Sequence, residues 1–392
     1  MPAIDVAVIG AGVIGAASAW RCAQRGLTVT LLDPALDPSP GAWHTAAGML
    51  APITELNYTE TPLLRLNLDS LARYPSFVAE VADDSGLPTG FRPCGTVAAA
   101  WDGADLAAQR ELHAFMTGLG LDATLLTGRD LRLLEPAVAP GLPGALLAAG
   151  DHQVDPRLLR AALLAAALRR GVALVAAQAS VVTTGERVVG VRLPDGTVLP
   201  AGCVVLAAGC WSGSVGGLPS GAAPPVRPVK GQTLRLRLPG PPRLAHVLRG
   251  TVKGNPIYLV PRADGQLVVG ASSEEAGFDR RPRAGAVYEL LRDAQSLVPE
   301  LGEAVLEEVS TGLRPGSPDN APLVGPSGVE GLLHATGHYR NGVLLTPVTA
   351  DGVAALVADG ALPDVLAPFA PTRFDGAEHG VRGIGTVREV AR

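Results

Sequence analysis

The sequence predicts an α/β protein in which a Rossmann-like domain with a parallel sheet carries an inserted domain built on an antiparallel sheet. Three observations support this prediction. A glycine-rich turn joins a strand to a helix near the N-terminus, and an apolar strand ending in Ala-Ala-Gly follows at 203–209. Beyond residue 226, the spacing of apolar residues changes to the alternation that is typical of antiparallel strands.

The glycine-rich turn lies in VAVIGAGVIGAASAW, residues 6–20. A strand over 4–9 leads into a helix over 13–25, and a second strand over 27–32 ends at Asp33. The glycines allow a tight turn and leave the N–H groups of the helix free for a pyrophosphate, while the acid accepts from ribose hydroxyls. Gly-rich turns without a ligand are common, but the strand-helix-strand context favours a nucleotide. The predicted dinucleotide site comprises Gly10, Gly12, Val13, Ile14, Gly15 and Asp33.

Composition excludes several classes of protein. With 392 residues, 47% hydrophobic and 18% charged, the chain is expected to form two globular domains. A net charge of −5 without a basic cluster argues against a nucleic acid partner. The apolar run 6–19 lacks a basic leader and the run 158–168 is too short to cross a membrane. Four cysteines without metal-ligand spacing indicate a reducing cytoplasm and no metal site: Cys22, Cys94, Cys203 and Cys210.

The small-residue run TAAGMLAP, residues 45–52, follows a polar, Pro-rich loop. Alanine and glycine allow the backbone to pack close to a flat ligand. An ordinary helix that begins at a Thr45 cap is the alternative, and the residues alone leave both open. The first alternative places five residues along the ligand: Thr45, Ala46, Ala47, Gly48 and Met49.

Apolar spacing next predicts helices at 63–81, 106–119, 131–138 and 157–170. Asp155 is a good N-cap for the last of these, and Pro156 suits its first turn. Strands are predicted at 91–101 and 144–149.

A β-meander is predicted after these helices, followed by the apolar strand CVVLAA at 203–208. The meander strands are 172–176, 180–184, 188–193 and 198–199. A late apolar strand that returns beside the first strand is typical of two-dinucleotide flavoprotein domains, whereas a nicotinamide dehydrogenase continues with alternating strands and helices. Ala208, Gly209 and Trp211 would then approach the nucleotide, although a plain turn is the alternative at Gly209.

The change of pattern beyond 226 predicts an inserted domain with a helix over 286–298. The strand LLHATG and a helix that begins at the turn GHYRNG then return to the first domain. The predicted dinucleotide-binding domain comprises 1–86, 151–225 and 315–374, and the predicted substrate domain comprises 87–150 and 226–314. The tail 375–392 has no periodicity, which predicts disorder.

Two residues of the predicted inserted sheet are candidates for substrate binding. Arg314 ends an apolar strand just before a Pro-Gly turn. An arginine there is either an ordinary surface residue or a fixed guanidinium suited to a carboxylate. Tyr258, on the strand IYLVPR, offers a hydroxyl donor, but a half-buried strand tyrosine is more often a packing residue. Position alone favours the ordinary alternative for both.

The turn GHYRNG, residues 337–342, joins the last predicted strand of the sheet to the last long helix. N–H groups freed by its glycines would stabilise negative charge on a reduced flavin, and a second phosphate cradle is the alternative. His338 is interpreted as structural, because none of the seven histidines is paired in sequence with a nucleophile or an acid. The sequence contains no nucleophile elbow.

In their order and spacing, these motifs resemble the D-amino-acid oxidase and sarcosine oxidase family of FAD enzymes, and within it the glycine oxidases of thiazole biosynthesis. The similarity covers almost the whole chain, and GLRPG followed by GHYRNG is its most specific pair. The motifs that carry it are VIGAGVIG, TAAGMLAP, DHQVDP, VVLAAGCWSG, PVKGQ, IYLVPR, LVVGAS, GLRPGSPDNAPLVG and GHYRNGVLLTP.

The resemblance implies FAD bound noncovalently, because no cysteine follows Cys210 to attach a flavin as in monomeric sarcosine oxidases. It implies a catalytic site in which Arg314 holds the substrate carboxylate, Tyr258 adds a hydroxyl donor and Arg340 borders the pocket. Pro256 and Ser273 stand at strand positions where relatives vary. Further implied FAD contacts are Val181 at the adenine end and, at the pyrimidine edge, Gly337, His338, Arg340, Asn341, Gly342, Val343 and Leu344.

The implied reaction is oxidative deamination of glycine and other small amines or D-amino acids, for the thiazole moiety of thiamine. Hydride passes from Cα to flavin N5, and oxygen then reoxidises the flavin, giving an imine and hydrogen peroxide; hydrolysis of the imine from glycine gives glyoxylate and ammonia. The implied partners are a small amino acid and molecular oxygen, and relatives are often homo-oligomers. One alternative is a dehydrogenase for sarcosine, D-proline or hydroxyproline that passes electrons to a quinone or a partner subunit. The other is a noncatalytic flavoprotein subunit.

Overall fold

The structure, a computed structural model, describes residues 4–36, 41–240 and 243–374. The predicted disordered tail 375–392 lies outside the described residues. Within these ranges, four short 3₁₀ helices accompany the main elements, at Gly209–Ser214, Pro299–Glu303, Asp364–Phe369 and Pro371–Phe374. The α-helices are α1 (Val13–Gln24), α2 (Ala42–Thr45), α3 (Thr61–Ser85), α4 (Gly103–Gly118), α5 (Gly128–Leu134), α6 (Pro156–Arg169), α7 (Ala284–Leu297) and α8 (Thr346–Asp359).

In the part of the chain that the structure describes, the strands form two large sheets and one two-stranded pair. The strands of the first half are β1 (Ile4–Ile9), β2 (Val29–Leu32), β3 (Met49–Leu50), β4 (Thr96–Ala100), β5 (Thr124–Thr127), β6 (Gly144–Ala148), β7 (His152–Gln153), β8 (Ala173–Val175) and β9 (Ser180–Thr184). Those of the second half are β10 (Arg187–Arg192), β11 (Val198–Leu206), β12 (Arg227–Arg237), β13 (Val247–Val252), β14 (Asn255–Pro261), β15 (Gln266–Gly270), β16 (Val305–Gly316), β17 (Leu323–Pro326) and β18 (Leu332–Thr336).

The first sheet, called here the nucleotide sheet, has the order β17-β18-β11-β1-β2-β8. Its neighbours are parallel except β17 and β18, and β9 and β10 extend β11 as an antiparallel ribbon. The apolar strand at 203–208 therefore returns beside β1, as the sequence predicts. The parallel strands are buried on both faces, which explains why they are continuous apolar runs.

Helix α1 packs against α6 and α8, and its Trp20 contacts Phe77 on α3. Trp20 on α1 is fully buried, and its indole N–H donates to Asp84 Oδ2 at 2.8 Å. The predicted start of α6 is confirmed, because the Asp155 carboxylate accepts from the N–H groups of Arg157 and Leu158. In the described residues no single helix is long and apolar enough to cross a membrane. One pair of helices, Thr346–Asp359 with Asp364–Phe374, reaches the required length and apolar composition only when taken together, and it is bent by 106°.

The second sheet, called here the substrate sheet, has the order β16-β12-β15-β14-β13-β4-β6-β5. Its neighbours are antiparallel except β13 and β4, which pair in parallel. Helix α7 covers one face through an apolar core that includes Leu290 and Leu297. The other face lies toward residues 42–45 of α2. The two sheets thus enclose a space between them.

Several predictions about single elements are wrong. The strand predicted at 172–176 is β8, Ala173–Val175, which extends the nucleotide sheet in parallel beside β2 and is not part of the meander. The last meander strand and the returning strand are one continuous strand, β11. Thr45 ends the short helix α2 and does not cap a helix start. The last helix begins at Thr346, beyond the turn at 337–342, and β13 has no counterpart among the predicted strands.

The glycine at position 15 is required by packing. A Cβ atom at Gly15 would lie 1.8 Å from the carbonyl oxygen of Gly10, whereas a Cβ at Gly12 would meet only Trp43 Cδ1, at 3.9 Å. The third glycine of the motif therefore lets α1 start against the end of β1.

We expect Gly15→Ala to lower the free energy of unfolding by about 1–3 kcal/mol, because the new methyl group forces the helix away from the turn. Helix propensity alone would give the opposite sign, since alanine is better than glycine in a helix by about 1 kcal/mol. Thermal unfolding followed by circular dichroism measures the change, with Gly12→Ala as the matched control. A melting temperature of Gly15→Ala at or above the wild-type value would contradict the packing argument.

Candidate functional site

A cavity of about 720 Å³ lies between the two sheets. It runs from the glycine-rich turn and Asp33, past residues 45–49, to Tyr258 and Arg314 on the substrate sheet. This volume is in the range of sites for large ligands. The cavity therefore connects the predicted dinucleotide site to the predicted substrate site.

The first end of the cavity is suited to phosphate. Gly12 is the N-cap of α1, and no side chain caps the helix, so the first N–H groups are free for an anion. The Asp33 carboxylate accepts from the N–H groups of Ala11 at 2.7 Å and Ala35 at 2.9 Å. A carboxylate has about four lone-pair sites, so Asp33 retains acceptor capacity for ribose hydroxyls.

Arg160 and Trp43 stand beside the glycine-rich turn, and neither is among the predicted site residues. Arg160 Nε donates to the carbonyl oxygen of Ala11 at 2.8 Å. Its guanidinium lies 4.4 Å from the centre of the Trp43 ring, which lines the cavity. The sequence signal is weak, because an arginine at the fifth residue of α6 looks like an ordinary helix cation.

Residues 45–49 form the middle of the cavity. Carbonyl groups of this segment and of the preceding His44 accept hydrogen bonds from side chains of neighbouring elements. Thr233 Oγ1 donates to the carbonyl oxygen of Thr45 at 3.0 Å, and Arg262 Nη2 donates to that of Ala47 at 2.7 Å. The carbonyl oxygen of His44 accepts from Arg157 Nε at 2.9 Å. These side chains come from α6 and the substrate sheet with its β14–β15 connection, so the segment is fixed between the two sheets.

Arg262 is a buried cation among these donors, with 6% of its surface exposed. Burial lowers the pKa of its guanidinium to about 10, and the charge of Asp155, 3.4 Å away, opposes that shift. The side chain thus stays charged at neutral pH, and its donors are used on Gln153, Val154 and Ala47. A buried charge is tolerated when it is hydrogen-bonded and paired in this way.

The nucleotide sheet contributes the wall that faces residues 45–49. Ala208, Gly209 and Trp211 line the cavity after the end of β11. Gly209 has φ +57°, and a Cβ there would meet no protein atom within 4 Å. The positive φ angle explains the glycine as a turn residue, and the turn also lines the cavity. The structure is therefore compatible with both interpretations of Gly209, as a plain turn and as a residue close to the nucleotide.

His338 lines the same wall, and 2% of its surface is exposed. Its Nε2 is 3.0 Å from Thr349 Oγ1 on α8. Burial lowers the pKa of His338 to about 3, so the imidazole is neutral at physiological pH. The residue connects the turn at 337–342 to α8 without adding charge to the cavity.

The substrate end is built from one row of the substrate sheet. Arg249, Tyr258 and Gly270 are direct cross-strand partners on β13, β14 and β15. A Cβ atom at Gly270 would lie 2.3 Å from the Tyr258 hydroxyl, so the ring lies across the glycine. Burial raises the pKa of the Tyr258 phenol, against the effect of Arg314. Tyr258 is therefore a neutral hydroxyl donor beside an arginine.

Arg314 on β16 is placed in the same way over a glycine. A Cβ at Gly231 would lie 2.4 Å from Arg314 Nη1 and 2.6 Å from Nη2. Nη1 donates to the carbonyl oxygens of Lys230 at 3.4 Å and Ser272 at 3.2 Å. Within the part of the chain that the structure describes, Nε and Nη2 have no hydrogen-bond partner. Two donors of the planar group thus remain for a carboxylate.

An ion pair that the sequence analysis missed borders Tyr258. Arg249 Nη2 lies 3.3 Å from Glu55 Oε1, and both residues line the cavity. No local signal could have found this pair, because its partners are 194 positions apart in the sequence and meet only through the sheet. Arg280 and Ser272 were missed for the same reason.

Most of the predicted site residues meet at this one cavity, and some do not. Ser273 lines it from the segment after β15, not from a strand. Val181 is buried in the core, and its N–H donates to Gly216, while Gln178 and Ala179 line the cavity nearby. The predicted residues that line it are Gly10, Gly12, Val13, Ile14, Asp33, Thr45, Ala46, Ala47, Gly48, Met49, Ala208, Gly209, Trp211, Pro256, Tyr258, Arg314, His338, Arg340, Gly342 and Val343. Those that do not are Gly15, Val181, Gly337, Asn341 and Leu344.

The fold and the cavity define a flavin-dependent oxidoreductase of the two-dinucleotide type. The helix N-terminus, Asp33 and the small-residue wall fit the phosphates, ribose and flat ring of FAD, and Arg314 with Tyr258 lies at the far end. In the described ranges no group of three or more His, Cys, Asp or Glu side chains is placed to hold a metal ion.

Comparison with known proteins identifies the family. The family model described as DAO, FAD dependent oxidoreductase, matches residues 5–356, and the chain belongs to this family. It is therefore an enzyme with FAD as its cofactor, and the predicted fold class is confirmed.

The chain is similar to glycine oxidase of Geobacillus kaustophilus, with 35% identity over 375 residues that cover 95% of this chain and 97% of that protein. The crystal structure of glycine oxidase from that organism has a TM-score of 0.84 at 34% identity, covering 94% of this chain and 98% of that chain. The bifunctional protein ThiO/ThiG of Synechocystis is 35% identical over 94% of this chain and 54% of that protein. The chain thus spans about half the length of these bifunctional relatives.

We expect His338→Gln to reduce the acid sensitivity of the protein. Because the folded-state pKa is lowered, the stability that neutral His338 contributes is fully present above pH 6.5 and is lost as the pH falls toward 3. At pH 5 the loss is about 2 kcal/mol, and glutamine, which does not titrate, avoids it.

Chemical unfolding of the FAD-bound enzyme at pH 7 and pH 5 measures this difference. The same substitution at the half-buried His113 on α4 controls for loss of an imidazole in general. An equal drop in stability between the two pH values for wild type and His338→Gln would rule out this assignment.

Proposed function

We propose that the chain catalyses the FAD-dependent oxidative deamination of glycine and other small amines or D-amino acids. The observation that carries the proposal is Arg314, whose free donors face the cavity that also holds the glycine-rich turn. Similarity to glycine oxidase over nearly the full length of both chains supports the same reaction. The proposed products are an imine, hydrolysed to glyoxylate and ammonia when the substrate is glycine, and hydrogen peroxide.

We further propose a role in making the thiazole moiety of thiamine, on the basis of similarity to the ThiO/ThiG proteins. The proposed partners are a small amino acid and molecular oxygen. The nucleotide and substrate sheets support the domain division 1–86, 151–225 and 315–374 against 87–150 and 226–314. Strand β16 crosses the last of these boundaries, since it ends at Gly316.

Substrate binding begins in this proposal with the carboxylate on Arg314. The guanidinium cannot rotate freely, because it lies on Gly231 and two carbonyl oxygens hold Nη1. The Tyr258 hydroxyl adds a second donor, and Arg340 borders the pocket. These contacts orient Cα of the substrate toward the wall formed by residues 45–49, which reduces the entropic cost of reaction.

FAD, held by the glycine-rich turn, Asp33 and residues 45–49, would supply the two-electron acceptor for the hydride of the substrate Cα. The protein contributes orientation and electrostatics, and no side-chain base is required at carbon. We propose that FAD is bound noncovalently. A covalent link would need a reactive cysteine, and Cys210 lines the cavity. Burial raises the pKa of its thiol to about 12, so the reactive thiolate is not formed at neutral pH.

The roles of Val181 and of the residues at 337–344 remain proposals, with one adjustment of detail. Residues 337–342 precede α8, which begins at Thr346. Their N–H groups therefore belong to a turn and not to the N-terminus of a helix. Gly337 and Leu344 support the wall from behind: a Cβ at Gly337 would lie 3.1 Å from Leu323, and the Leu344 carbonyl accepts from Ser70.

We expect Arg314→Leu to lower kcat/KM for amino acids about ten- to a hundredfold, because a charge-assisted contact of about 1.5–3 kcal/mol is lost. FAD content, measured from the visible absorbance, should stay at the wild-type level. Arg237→Leu, on the neighbouring strand but paired with Glu307 outside the cavity, is the matched control. Wild-type turnover in Arg314→Leu would refute the carboxylate role.

Anaerobic mixing with glycine, sarcosine, D-alanine and D-proline tests the reaction class. We expect the flavin absorbance to bleach with the preferred substrate and to recover on admission of oxygen with stoichiometric peroxide. Bleaching without rapid recovery in air would instead identify a dehydrogenase, and no bleaching with any of the four would favour a noncatalytic subunit.

A further inference from the structure

Lys230 is a buried lysine that the proposed reaction does not use. It lies in the middle of β12, its side chain is completely buried, and it does not line the cavity. Its neighbour Gly231 does line the cavity, so the lysine is on the opposite face of the strand. A buried ammonium group is costly unless it is paired and hydrogen-bonded, so its surroundings require an explanation.

The partner of Lys230 is Glu274, in the segment that follows β15. Lys230 Nζ lies 3.4 Å from Glu274 Oε2 and donates to the carbonyl oxygen of Arg281 at 2.7 Å. The backbones of Lys230 and Glu274 exchange two hydrogen bonds of 2.9 Å. The pair therefore fastens the segment 271–283 to β12.

Three further side chains contact Glu274: Arg283 approaches its Oε2, with Nε at 3.2 Å, and Gln232 and Ser272 bind the other oxygen. Oε1 of Glu274 accepts from Gln232 Nε2 at 2.6 Å and from Ser272 Oγ at 2.8 Å. Burial acts to raise the pKa of Glu274, but these hydrogen bonds and the charge of Lys230 leave it below its usual value. The carboxylate is thus ionised and fully engaged.

The network touches Arg314 through the backbone. The two carbonyl oxygens that accept from Arg314 Nη1 belong to Lys230 and Ser272, which are both members of the network. Any shift of residues 272–274 relative to β12 changes the separation of these two oxygens. The direction in which Arg314 presents its free donors depends on that separation.

We propose that Lys230 and Glu274 are positioning residues for Arg314: their ion pair, on the face of the sheet away from the cavity, fixes the two carbonyl groups that orient the guanidinium. This inference rests on the proposed function, since it assumes that Arg314 binds the substrate carboxylate. It goes beyond that function by assigning substrate affinity to residues that touch neither substrate nor FAD.

The test uses the FAD-bound enzyme and acetate as the probe, with affinity measured from the perturbation of the flavin spectrum. Lys230→Met removes the charge and retains the length of the side chain. Glu274→Gln retains the hydrogen-bonding shape and removes the charge. Each should weaken acetate binding about 5- to 20-fold and raise KM for the amino acid more than it lowers kcat. FAD content and melting temperature identify any variant that has not folded.

Repeating the measurements in the Arg314→Leu variant separates a positioning role from general destabilisation. When Arg314 is already leucine, Lys230→Met and Glu274→Gln should change acetate binding less than twofold, because the group that they position is absent. The matched control is Arg237→Met, which removes a cation from the exposed end of β12 and should leave acetate binding unchanged in both backgrounds.

The outcomes are distinguishable. Equal effects with and without Arg314, or wild-type affinity in both network variants, would overturn the positioning role while the proposed function stands. Wild-type enzyme that does not bind acetate, or Arg314→Leu that binds it as well as wild type does, would overturn the proposed function itself and the inference with it.

Discussion

The arrangement of the whole site depends on hydrogen bonds from outside the cavity to the carbonyl groups of residues 44–47. This segment passes between the two sheets, where it has few partners in a regular ladder. Thr233 and Arg262 satisfy carbonyl groups whose burial without a partner would cost about 1–3 kcal/mol each. Because a peptide unit is planar and trans, holding the Ala47 carbonyl toward Arg262 directs the N–H of Gly48 to the opposite side. Side chains of the substrate sheet thus set the wall of the FAD site, and neither sheet could form the site alone.

A second constraint is the room that glycine leaves on the substrate sheet. Gly231, Gly270 and Gly312 face Arg314, Tyr258 and Thr45, and a Cβ on any of them would lie within 2.8 Å of that partner. Their φ angles are not in the left-handed region, so packing and not backbone conformation requires them. Glycine normally weakens a strand. Here it lets a guanidinium and a phenol lie against the sheet, which restricts their rotation and leaves the centre of the cavity open.

The features that the sequence predicts well are those carried by local patterns. The strand β1, the turn at Gly10 to Gly15 and the N-cap Asp155 follow from periodicity and capping preferences, and they occur where predicted. Arg314 could be assigned only through the resemblance to a family, because its position alone favours an ordinary surface residue. The pair Glu55–Arg249 and the network of Lys230 depend on the register of distant strands, which no local pattern encodes. The prediction for β8 is wrong because a short apolar strand carries no sign of which strand of the sheet it pairs with.

The charges around the cavity differ between its parts in a way that suits the proposed substrate. The glycine-rich end is suited to phosphate through a helix N-terminus, whereas the opposite end carries Arg314, Arg340 and the ion pair of Arg249 with Glu55. Between them, burial keeps His338 neutral. An amino acid that docks by its carboxylate in the proposed mode brings its ammonium group close to these arginines. Their positive field lowers the pKa of that group, which favours the neutral amine from which hydride can leave. In the proposed mode, the arginines that hold the carboxylate therefore also favour the deprotonated amine, and the proposed reaction requires no separate base.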